Sequence, residues 1–462
     1  MAEYRFNIHG DVNISLMREL IDEFIDPAYY EIADDDGPGI IQINTDCSSD
    51  RDTVKRELYR KLCELTGREQ EWGALTGVRP VKLAGELIES RGLDVAKERL
   101  SDFYYMSDEK IKLVTDMYLY QKELFGFADA NSAGVYVGIP FCPTRCLYCS
   151  FASNQVPDEE IERYLPVLFH EIEHVGSRLK ETGGFAESVY IGGGTPTTLN
   201  AEQLSMLLSE VSMAFGNGLK ELSVEAGRPD TITEEKLAVL KDNGVERISI
   251  NPQSMKQETL DRIGRSHTPE DIERAFELAL RTGFDVINAD IIAGLPGEDE
   301  QDFARTLEKM ISIGASNITV HTLAVKRGSR LHEEDKQYHY RAADTVKNML
   351  AVSREMLADA GFMPYYLYRQ KHMAGAMENT GYCRDDKACL YNVRIMDEHQ
   401  STLAMGAGGI SKKYYPAENR LVRVPNVTNY REYIDRIDEM IERKEKTYFM
   451  EDNNADQCAK GN

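Results

Sequence analysis

The stretch YVGIPFCPTRCLYCSF, residues 136–151, decides how the rest of this sequence is interpreted. It places Cys142, Cys146 and Cys149 in a C-x3-C-x2-C array, directly after an apolar run that is typical of a strand. Three thiolates on one tight loop can each bind one iron of a cubic [4Fe–4S] cluster, whereas ligation by four cysteines would need one more nearby. Because Phe151 stands two residues after Cys149, where a fourth cysteine would fall, the pattern predicts one iron that is open to a small molecule.

A structural zinc site is the main alternative for this loop. Its fourth ligand would come from a distant part of the chain, with His267, His321 and Cys383 as candidates. Zinc sites usually carry two C-x2-4-C pairs or a histidine pair, so the spacing favours the cluster. Three inert buried thiols are a further alternative, which ranks below the zinc site.

The composition is that of a globular protein, with 462 residues, 42% hydrophobic and 9% aromatic, enough for two or three domains. No apolar run approaches the roughly 18 residues of a membrane span, and the N-terminus MAEYRFNIHGD lacks the features of a signal peptide, so a cytoplasmic protein is expected. With 54 Lys and Arg against 78 Asp and Glu, the net charge of -24 argues against nucleic acid or an anionic membrane as the main partner. The eight cysteines cluster at one site only, which in a cytosolic chain indicates a metal centre and not a disulfide framework.

Residues 1–128 alternate between short apolar strands and amphipathic helices, and we interpret them as an α+β region of unknown role. The patterns predict strands at 4–9 and 39–43 and helices at 15–24, 53–65, 81–90, 94–100 and 107–124. Arg79, which precedes Pro80, could bind an anion, although an arginine in such a turn more often faces solvent.

From residue 129, within the small and polar segment ADANSAG, strands and helices begin to alternate regularly. The predicted strands are 135–139, 188–191, 221–225, 247–251, 285–292 and 317–323. The predicted helices are 158–181, 201–215, 234–243, 269–282, 300–313 and 341–360. Six β–α units predict a parallel sheet that is either open or curved as a partial (β/α)6 TIM-like barrel, with chemistry at the carboxyl ends of the strands.

Polar or glycine-rich residues follow these strands. The second strand leads into GGGTP at 192–196, where bare backbone groups could meet a ligand, although glycine loops are also common turns. The third strand ends in Glu225, and Gln253 follows the fourth. Asp290 lies inside the apolar fifth strand, where an acid needs a partner, and a structural salt bridge is its competing interpretation.

Residues 376–462 are predicted to form a C-terminal extension, with a final helix at 428–444 and a disordered tail from 451. An apolar strand there ends in GAGG at 406–409, but no long helix follows at once, so the dinucleotide-binding fingerprint fails. Cys383 and Cys389 could form a second metal site, although structural thiols are the more ordinary interpretation. The predicted domains are therefore 1–128, 129–375 and 376–462.

The cysteine loop resembles the signature of the radical S-adenosylmethionine (radical SAM) superfamily, C-x3-C-x-aromatic-C, with Tyr148 as the aromatic residue. From about Tyr136 to Ile410 the chain looks like the oxygen-independent coproporphyrinogen III dehydrogenase family, in the form with an extra N-terminal region found beside TGVRP-like and YYLYRQK-like segments. The resemblance implies that Cys142, Cys146 and Cys149 hold the cluster and that the fourth iron is chelated by S-adenosylmethionine.

The same resemblance assigns further residues to binding one or two S-adenosylmethionine molecules. They are Tyr136, Tyr148, Gly193, Gly194, Thr195, Glu225, Gln253, Arg265, Asp290, Ala324 and Ile410. The two tyrosines would flank the cluster and cofactor, residues 193–195 would meet the methionine amino group, and Glu225 would contact the same cofactor. Gln253, Arg265 and Asp290 would touch a second molecule, and Ala324 and Ile410 would lie near the adenine.

The chemistry that the resemblance implies is reductive cleavage of the sulfonium, abstraction of a β-hydrogen from a propionate, and loss of carbon dioxide and an electron to leave a vinyl group. Two rounds would turn coproporphyrinogen III into protoporphyrinogen IX in haem synthesis, with electrons from an unidentified low-potential donor. A tetracarboxylate substrate needs nearby cations. The candidates are Arg228, Lys326, Arg327, Arg330, Arg369 and Lys371.

Phe151 departs from the well-known bacterial dehydrogenases, which have a cysteine there. The haem chaperones of the superfamily have phenylalanine at this position, so a haem-binding chaperone is the second hypothesis, with His321, His372 and His399 as candidate haem ligands. A radical methyltransferase acting on haem is the third.

Overall fold

A computed structural model describes residues 3–33, 37–44, 49–77, 79–150, 153–326, 328–338, 342–370, 373 and 377–449. Several residues singled out from the sequence lie outside the described residues, namely Phe151, Arg327, Lys371, His372 and the tail from 451. No helix in these ranges is long and apolar enough to cross a membrane.

The N-terminal part begins with a small parallel sheet. Its elements are β1 (Tyr4–Ile8), α1 (Ile14–Asp22), β2 (Tyr30–Ile32), β3 (Ile41–Ile43) and α2 (Arg51–Thr66), with strand order β2-β1-β3. The sequence pattern missed β2, which has only three residues. The helices α3 (Pro80–Arg91), α4 (Leu93–Asp102) and α5 (Asp108–Phe125) follow as predicted.

The main sheet has eleven strands. They are β4 (Ser132–Ile139), β5 (Phe185–Gly193), β6 (Glu221–Glu225), β7 (Arg247–Ser249), β8 (Val286–Ala293), β9 (Asn317–Thr322), β10 (Met363–Tyr368), β11 (Asn379–Cys383), β12 (Ser401–Met405), β13 (Ile410–Tyr415) and β14 (Arg420–Pro425). The six predicted strands, β4 to β9, are parallel and lie side by side in chain order. Consecutive parallel strands are also neighbours in a TIM barrel. The described sheet does not close on itself, because β10 lies at one end and β14 at the other. Parallel neighbours in chain order without closure are what a partial barrel requires, so that prediction is confirmed.

Amphipathic helices connect these strands. They are α6 (Asp158–Glu181), α7 (Ala201–Phe215), α8 (Glu234–Asp242), α9 (Gln257–Ile263), α10 (Pro269–Arg281), α11 (Glu300–Ser312), α12 (Arg330–Glu334) and α13 (Ala343–Asp359). Their starts are encoded locally: α7 and α10 each begin with a reciprocal capping box, Asn200 with Gln203 and Thr268 with Asp271. The short α9 and α12 lack a long apolar period, and the sequence pattern did not reveal them.

The C-terminal part extends the sheet as well as adding the helices α14 (Leu390–Asp397), α15 (Tyr430–Asp435) and α16 (Ile437–Thr447). β12 lies parallel beside β4, and β13 and β14 continue as an antiparallel hairpin. The predicted single helix at 428–444 is wrong, because the chain breaks between α15 and α16 at Arg436; Asn429 caps the first of the two helices. The predicted domain limits at 128 and 375 remain predictions.

Buried ion pairs join distant segments. Lys110 of α5 contacts Glu378, next to β11, and the indole N–H of Trp72 donates to the same carboxylate at 2.9 Å. The Lys110 side chain is fully buried. The contact therefore links α5 to the segment beside β11 through groups that are costly to bury without a partner.

Candidate metal and cofactor site

The cysteine loop leaves β4 at its carboxyl end and is held there by backbone hydrogen bonds. The N–H of Cys142 donates to the carbonyl of Asn154 at 3.0 Å. The N–H of Leu147 donates to the carbonyl of Ile263 at 2.9 Å, and the N–H of Leu331 donates to the carbonyl of Leu147 at 3.0 Å. The loop is thus pinned to segments that follow β7 and β9, so it lies across the carboxyl ends of the strands.

The three thiols are close enough to influence one another. Cys146 is buried, and Cys142 and Cys149 are half-buried. Burial raises the pKa of Cys142 to about 11, the neighbouring Cys149 and Cys146 add to the increase, and the Thr195 hydroxyl at 3.3 Å opposes it. Without metal this thiol keeps its proton at neutral pH, so cluster binding must displace that proton.

The zinc alternative requires side chains that converge on one ion. Among the described residues, no group of three or more His, Cys, Asp or Glu side chains does so. A cubic cluster needs no such convergence, because each thiolate binds a different iron. Cys383 pairs with Asn317 at the start of β9, on the opposite edge of the sheet.

The glycine loop after β5 lies directly against the cysteine loop. The N–H of Gly194 donates to the carbonyl of Ile139 at 2.8 Å, and the N–H of Thr195 donates to that of Phe141 at 2.8 Å. A Cβ on Gly194 would lie 2.5 Å from the Phe141 carbonyl oxygen and 3.0 Å from the Cys142 sulfur. Only a residue without a side chain allows this approach.

Glu225, at the end of β6, faces the same loop. Its carboxylate accepts a hydrogen bond from the Tyr190 hydroxyl at 2.8 Å and one from the backbone N–H of Gly193. Burial raises the pKa of Glu225 to about 7, the Tyr190 hydrogen bond opposes this, and the negative charge of Asp290 adds to it. A carboxylate with such a pKa is a good partner for a cationic ligand, because that ligand would restore its charged form.

Gln253 and Arg265 bring buried polar atoms to the ends of β7 and β8. Gln253 has φ 65° and donates its backbone N–H to the carbonyl of Asp290 at 3.0 Å. Arg265 donates to the carbonyls of Gly227 and Asn251, both at 3.2 Å. Oε1 of Gln253 and Nε of Arg265 have no hydrogen-bond partner among the described residues, which suits a polar ligand at this position.

Asp290 is paired with His321 of β9, with Oδ1 3.6 Å from Nε2. Its Oδ1 also accepts from the side chain of Asn288 at 2.8 Å. Burial pushes the pKa of Asp290 up, but His321 and the hydrogen bonds outweigh it, so the pKa lies below its usual value. Asp290 therefore has a partner within the sheet, His321, and both residues lie beside Glu225.

The two predicted tyrosines are half-buried and flank the site. Tyr136 of β4 stacks on Tyr190, with ring centroids 6.4 Å apart, and Tyr148 interacts with Arg265. Ala324 forms an isolated bridge with Met373 just after β9. Ile410 begins β13 beside the 406–409 loop, and its side chain is 46% exposed.

The predicted substrate cations divide into two groups. Arg228 forms a bidentate ion pair with Asp230, with both N–O distances at 3.1 Å. Arg369 is buried and forms an ion pair with Glu23 at 2.9 Å. Both arginines are therefore paired with carboxylates of the protein itself. Lys326 is half-buried with its charge near Cys149, and Arg330 is exposed at the start of α12.

Sequence reasoning missed Tyr190, which donates a hydrogen bond to Glu225. It named two other contributors for different roles: His321 pairs with Asp290, and Nη1 of Arg228 lies 4.0 Å from the Cys146 sulfur. Tyr190 lies on β5 two positions before Gly192. Alternate residues of a strand point to the same face, and this was the sequence signal that could have placed Tyr190 at the site.

Comparison with known proteins adds to this geometry. Residues 136–310 match the radical SAM superfamily. The chain is 36% identical over 405 residues to the oxygen-independent coproporphyrinogen-III oxidase-like protein HemZ of Bacillus subtilis, covering 86% of this chain and 80% of that protein. It is 34% identical over 193 residues to the heme chaperone HemW of Bacillus subtilis, covering 41% of this chain and 50% of the chaperone. The structure of coproporphyrinogen III oxidase (HemN) from Escherichia coli superposes with a TM-score of 0.54 at 22% identity, over 70% of this chain and 72% of that one, which shows the shared fold.

An open parallel sheet with three cysteines at its carboxyl edge, matched to that superfamily, makes this a radical SAM protein, with a [4Fe–4S] cluster and S-adenosylmethionine as its cofactors. Within the superfamily, the chain belongs to the family of oxygen-independent coproporphyrinogen-III oxidase-like proteins. The described residues fit the cofactors, since they offer three thiols, a bare glycine backbone against one sulfur, and buried polar atoms at Gln253 and Arg265 with unused hydrogen-bonding capacity.

Proposed function

We propose that this protein is a radical SAM enzyme that converts the propionates of coproporphyrinogen III to vinyl groups without oxygen, in haem biosynthesis. The observation that carries the proposal is the extent of the similarity to HemZ. That similarity extends over 405 residues and covers 86% of the chain. Residues 129–462 are too few to account for an alignment of this length, so the similarity includes part of the N-terminal region. The similarities to the heme chaperones HemW cover between 41% and 65% of the chain.

The residue assignments are part of this proposal. Cys142, Cys146 and Cys149 would bind the cluster, and residues 193–195 with Glu225 would bind S-adenosylmethionine. The close approach of Gly194 to the Cys142 sulfur supports this assignment. When bound, the cofactors supply the one-electron chemistry, and the protein contributes orientation and a site that excludes water.

A second S-adenosylmethionine would lie near Gln253, Arg265 and Asp290, with Ala324 and Ile410 towards the adenine. A polar ligand there is supported by the buried Oε1 of Gln253 and Nε of Arg265, which find no hydrogen-bond partner in the part of the chain that the structure describes. Lys326 and Arg330 are proposed to bind the substrate propionates because both follow β9 at the carboxyl ends of the strands, where the charge of Lys326 lies near Cys149. Arg228 and Arg369 are engaged by carboxylates.

The test is an anaerobic assay with the full chain, coproporphyrinogen III, S-adenosylmethionine and a low-potential reductant. We expect 5′-deoxyadenosine and a porphyrin with two vinyl groups, identified by mass spectrometry. The Cys146→Ala variant should form neither product. The matched control is Cys389→Ser, because Cys389 is buried beside Glu221 at the start of β6, on the opposite edge of the sheet.

A haem chaperone is the second candidate, supported by Phe151 and by the HemW similarity. Its haem ligand is harder to place, because His321 is paired with Asp290 and His399 with Asp397 and Glu86. Stoichiometric haem binding with no consumption of coproporphyrinogen III would replace the first proposal with this one.

A further inference from the structure

Four basic side chains surround one carboxylate far from the cysteine loop. The Glu398 carboxylate lies 3.3 Å from Nζ of Lys412, 3.6 Å from Nζ of Lys82 and 3.9 Å from Nη2 of Arg423, and Nη1 of Arg79 contacts it directly. Arg79, Lys82 and Lys412 are 12–19% exposed, whereas Arg423 is 63% exposed and leaves the cluster open to solvent. We call these four residues the basic cluster.

The basic cluster lies at the edge of the sheet opposite the cysteine loop. Glu398 precedes β12, whose first residue, Ser401, pairs with Ala133 near the start of β4. The cysteine loop follows the end of β4, so a strand of eight residues, roughly 25 Å, separates the two sites. The basic cluster also joins the start of α3 to the β13–β14 hairpin, because Arg79 and Lys82 come from the first and Lys412 and Arg423 from the second.

The arrangement is electrostatically unfavourable as it stands. Lys412 and Arg423 are directly opposite each other on β13 and β14, where like charges destabilise a sheet. Burial, together with Arg79, Arg423 and Lys82, lowers the pKa of Lys412 to about 7. Nε of Arg79 is buried without a hydrogen-bond partner among the described residues.

The nearby carboxylates do not neutralise this excess. Glu86 and Asp397 are engaged by His399, at 3.4 Å and 2.8 Å, and these two carboxylates raise the pKa of His399 to about 9. Lys412, with a pKa of about 7, is only partly charged at neutral pH. With His399 protonated, the basic groups therefore exceed the three carboxylates by between one and two charges. This excess stands out in a chain whose net charge is -24.

We propose that the basic cluster binds the phosphoryl dianion of free phosphate or of a small phosphate monoester. A phosphoryl group carries about −1.5 to −2 charges at pH 7, which matches the local excess. Arginine and lysine side chains together offer forked and point-charge contacts to its oxygens. Because the ligand would contact both α3 and the β13–β14 hairpin, it would hold the N-terminal helices to the C-terminal strands.

The experiment measures the unfolding midpoint of the full chain against inorganic phosphate and against adenosine 5′-monophosphate, at constant ionic strength and pH 7. We expect a saturable rise in the midpoint for the wild-type protein. The Lys412→Gln and Arg423→Gln variants should bind at least tenfold more weakly. The matched control is Lys413→Gln, the neighbouring lysine on the other face of β13, which should respond like the wild type.

Lys412→Gln also separates binding from folding. Because it removes a repelled charge, its midpoint without ligand should equal or exceed that of the wild type while its phosphate response falls. Tighter binding of the nucleotide would indicate a phosphorylated small molecule, and equal or weaker binding would indicate free phosphate. The proposal is overturned if the wild type shows no saturable response, or if Lys412→Gln and Arg423→Gln respond as the wild type does.

Discussion

Replacing Glu225 with glutamine should stabilise the cofactor-free protein at alkaline pH. The Glu225 carboxyl is held between the Tyr190 hydroxyl and the N–H of Gly193, and burial raises its pKa to about 7 from an ordinary value of 4.5. Above that pH the folded protein must hold a poorly solvated carboxylate near Asp290. Glutamine keeps one acceptor oxygen for these donors and never becomes charged.

The magnitude follows from the two pKa values. Each pKa unit corresponds to about 1.4 kcal/mol, so the change from 4.5 to about 7 costs the folded state roughly 3 kcal/mol when Glu225 is ionised. Below pH 4.5 the carboxyl is protonated in both states and there is no cost. Between pH 4.5 and 7 the Glu225 carboxyl is ionised in the unfolded chain but still protonated in the folded protein, so the free energy of unfolding falls as pH rises. Above pH 7 the carboxyl is ionised in both states, and the destabilisation of the folded state stays constant.

The assay is urea unfolding of wild type and Glu225→Gln between pH 5 and 8. We expect the variant to be more stable by less than about 1 kcal/mol at pH 5 and by roughly 3 kcal/mol at pH 8. Glu173→Gln, at an exposed position on α6, serves as the control and should show no such trend. Parallel pH profiles for wild type and Glu225→Gln, or a variant less stable at pH 8, would refute the reasoning. Because S-adenosylmethionine carries a sulfonium cation, we also expect the variant to bind it more weakly.

Three further predictions concern the site and the packing around it. Cys146→Ala should lose the iron–sulfur absorbance while circular dichroism stays unchanged, and an intact iron–sulfur spectrum would contradict the assignment. Gly194→Ala places a methyl group 2.5 Å from a carbonyl oxygen, so we expect a loss of roughly 1–3 kcal/mol in urea unfolding and a reduced iron content, whereas Gly77→Ala, with only ordinary contacts, should keep both. Lys110→Met should lose at most about 3–5 kcal/mol in urea unfolding, because the buried Glu378 carboxylate then keeps only the Trp72 hydrogen bond and the longer contact with Arg354 at 3.8 Å. Lys112→Met, 78% exposed on the same helix, should change stability by less than about 1 kcal/mol, and equal effects of the two substitutions would argue against the buried pair.

The roles of individual charged residues were the hardest to predict from sequence. Arg369 was a candidate for the substrate, yet it is buried against Glu23, which lies 346 positions away in the chain. Arg79 was expected to face solvent more often than to bind an anion, and it instead lies among three other cations. Neither outcome has a local signature, because the partners come from segments that only the fold brings together.

The sequence by itself determined the cysteine loop, the six parallel strands and their helices, and through them the family. These features are short-range: apolar periodicity, caps and cysteine spacing act within a few residues of one another. Only the tertiary structure decided that strands β12 to β14 extend the sheet, that burial raises the pKa of Glu225 to about 7, and that four cations meet at Glu398. Desolvation and Coulomb energy depend on distances in space, and these distances exist only once the chain has folded.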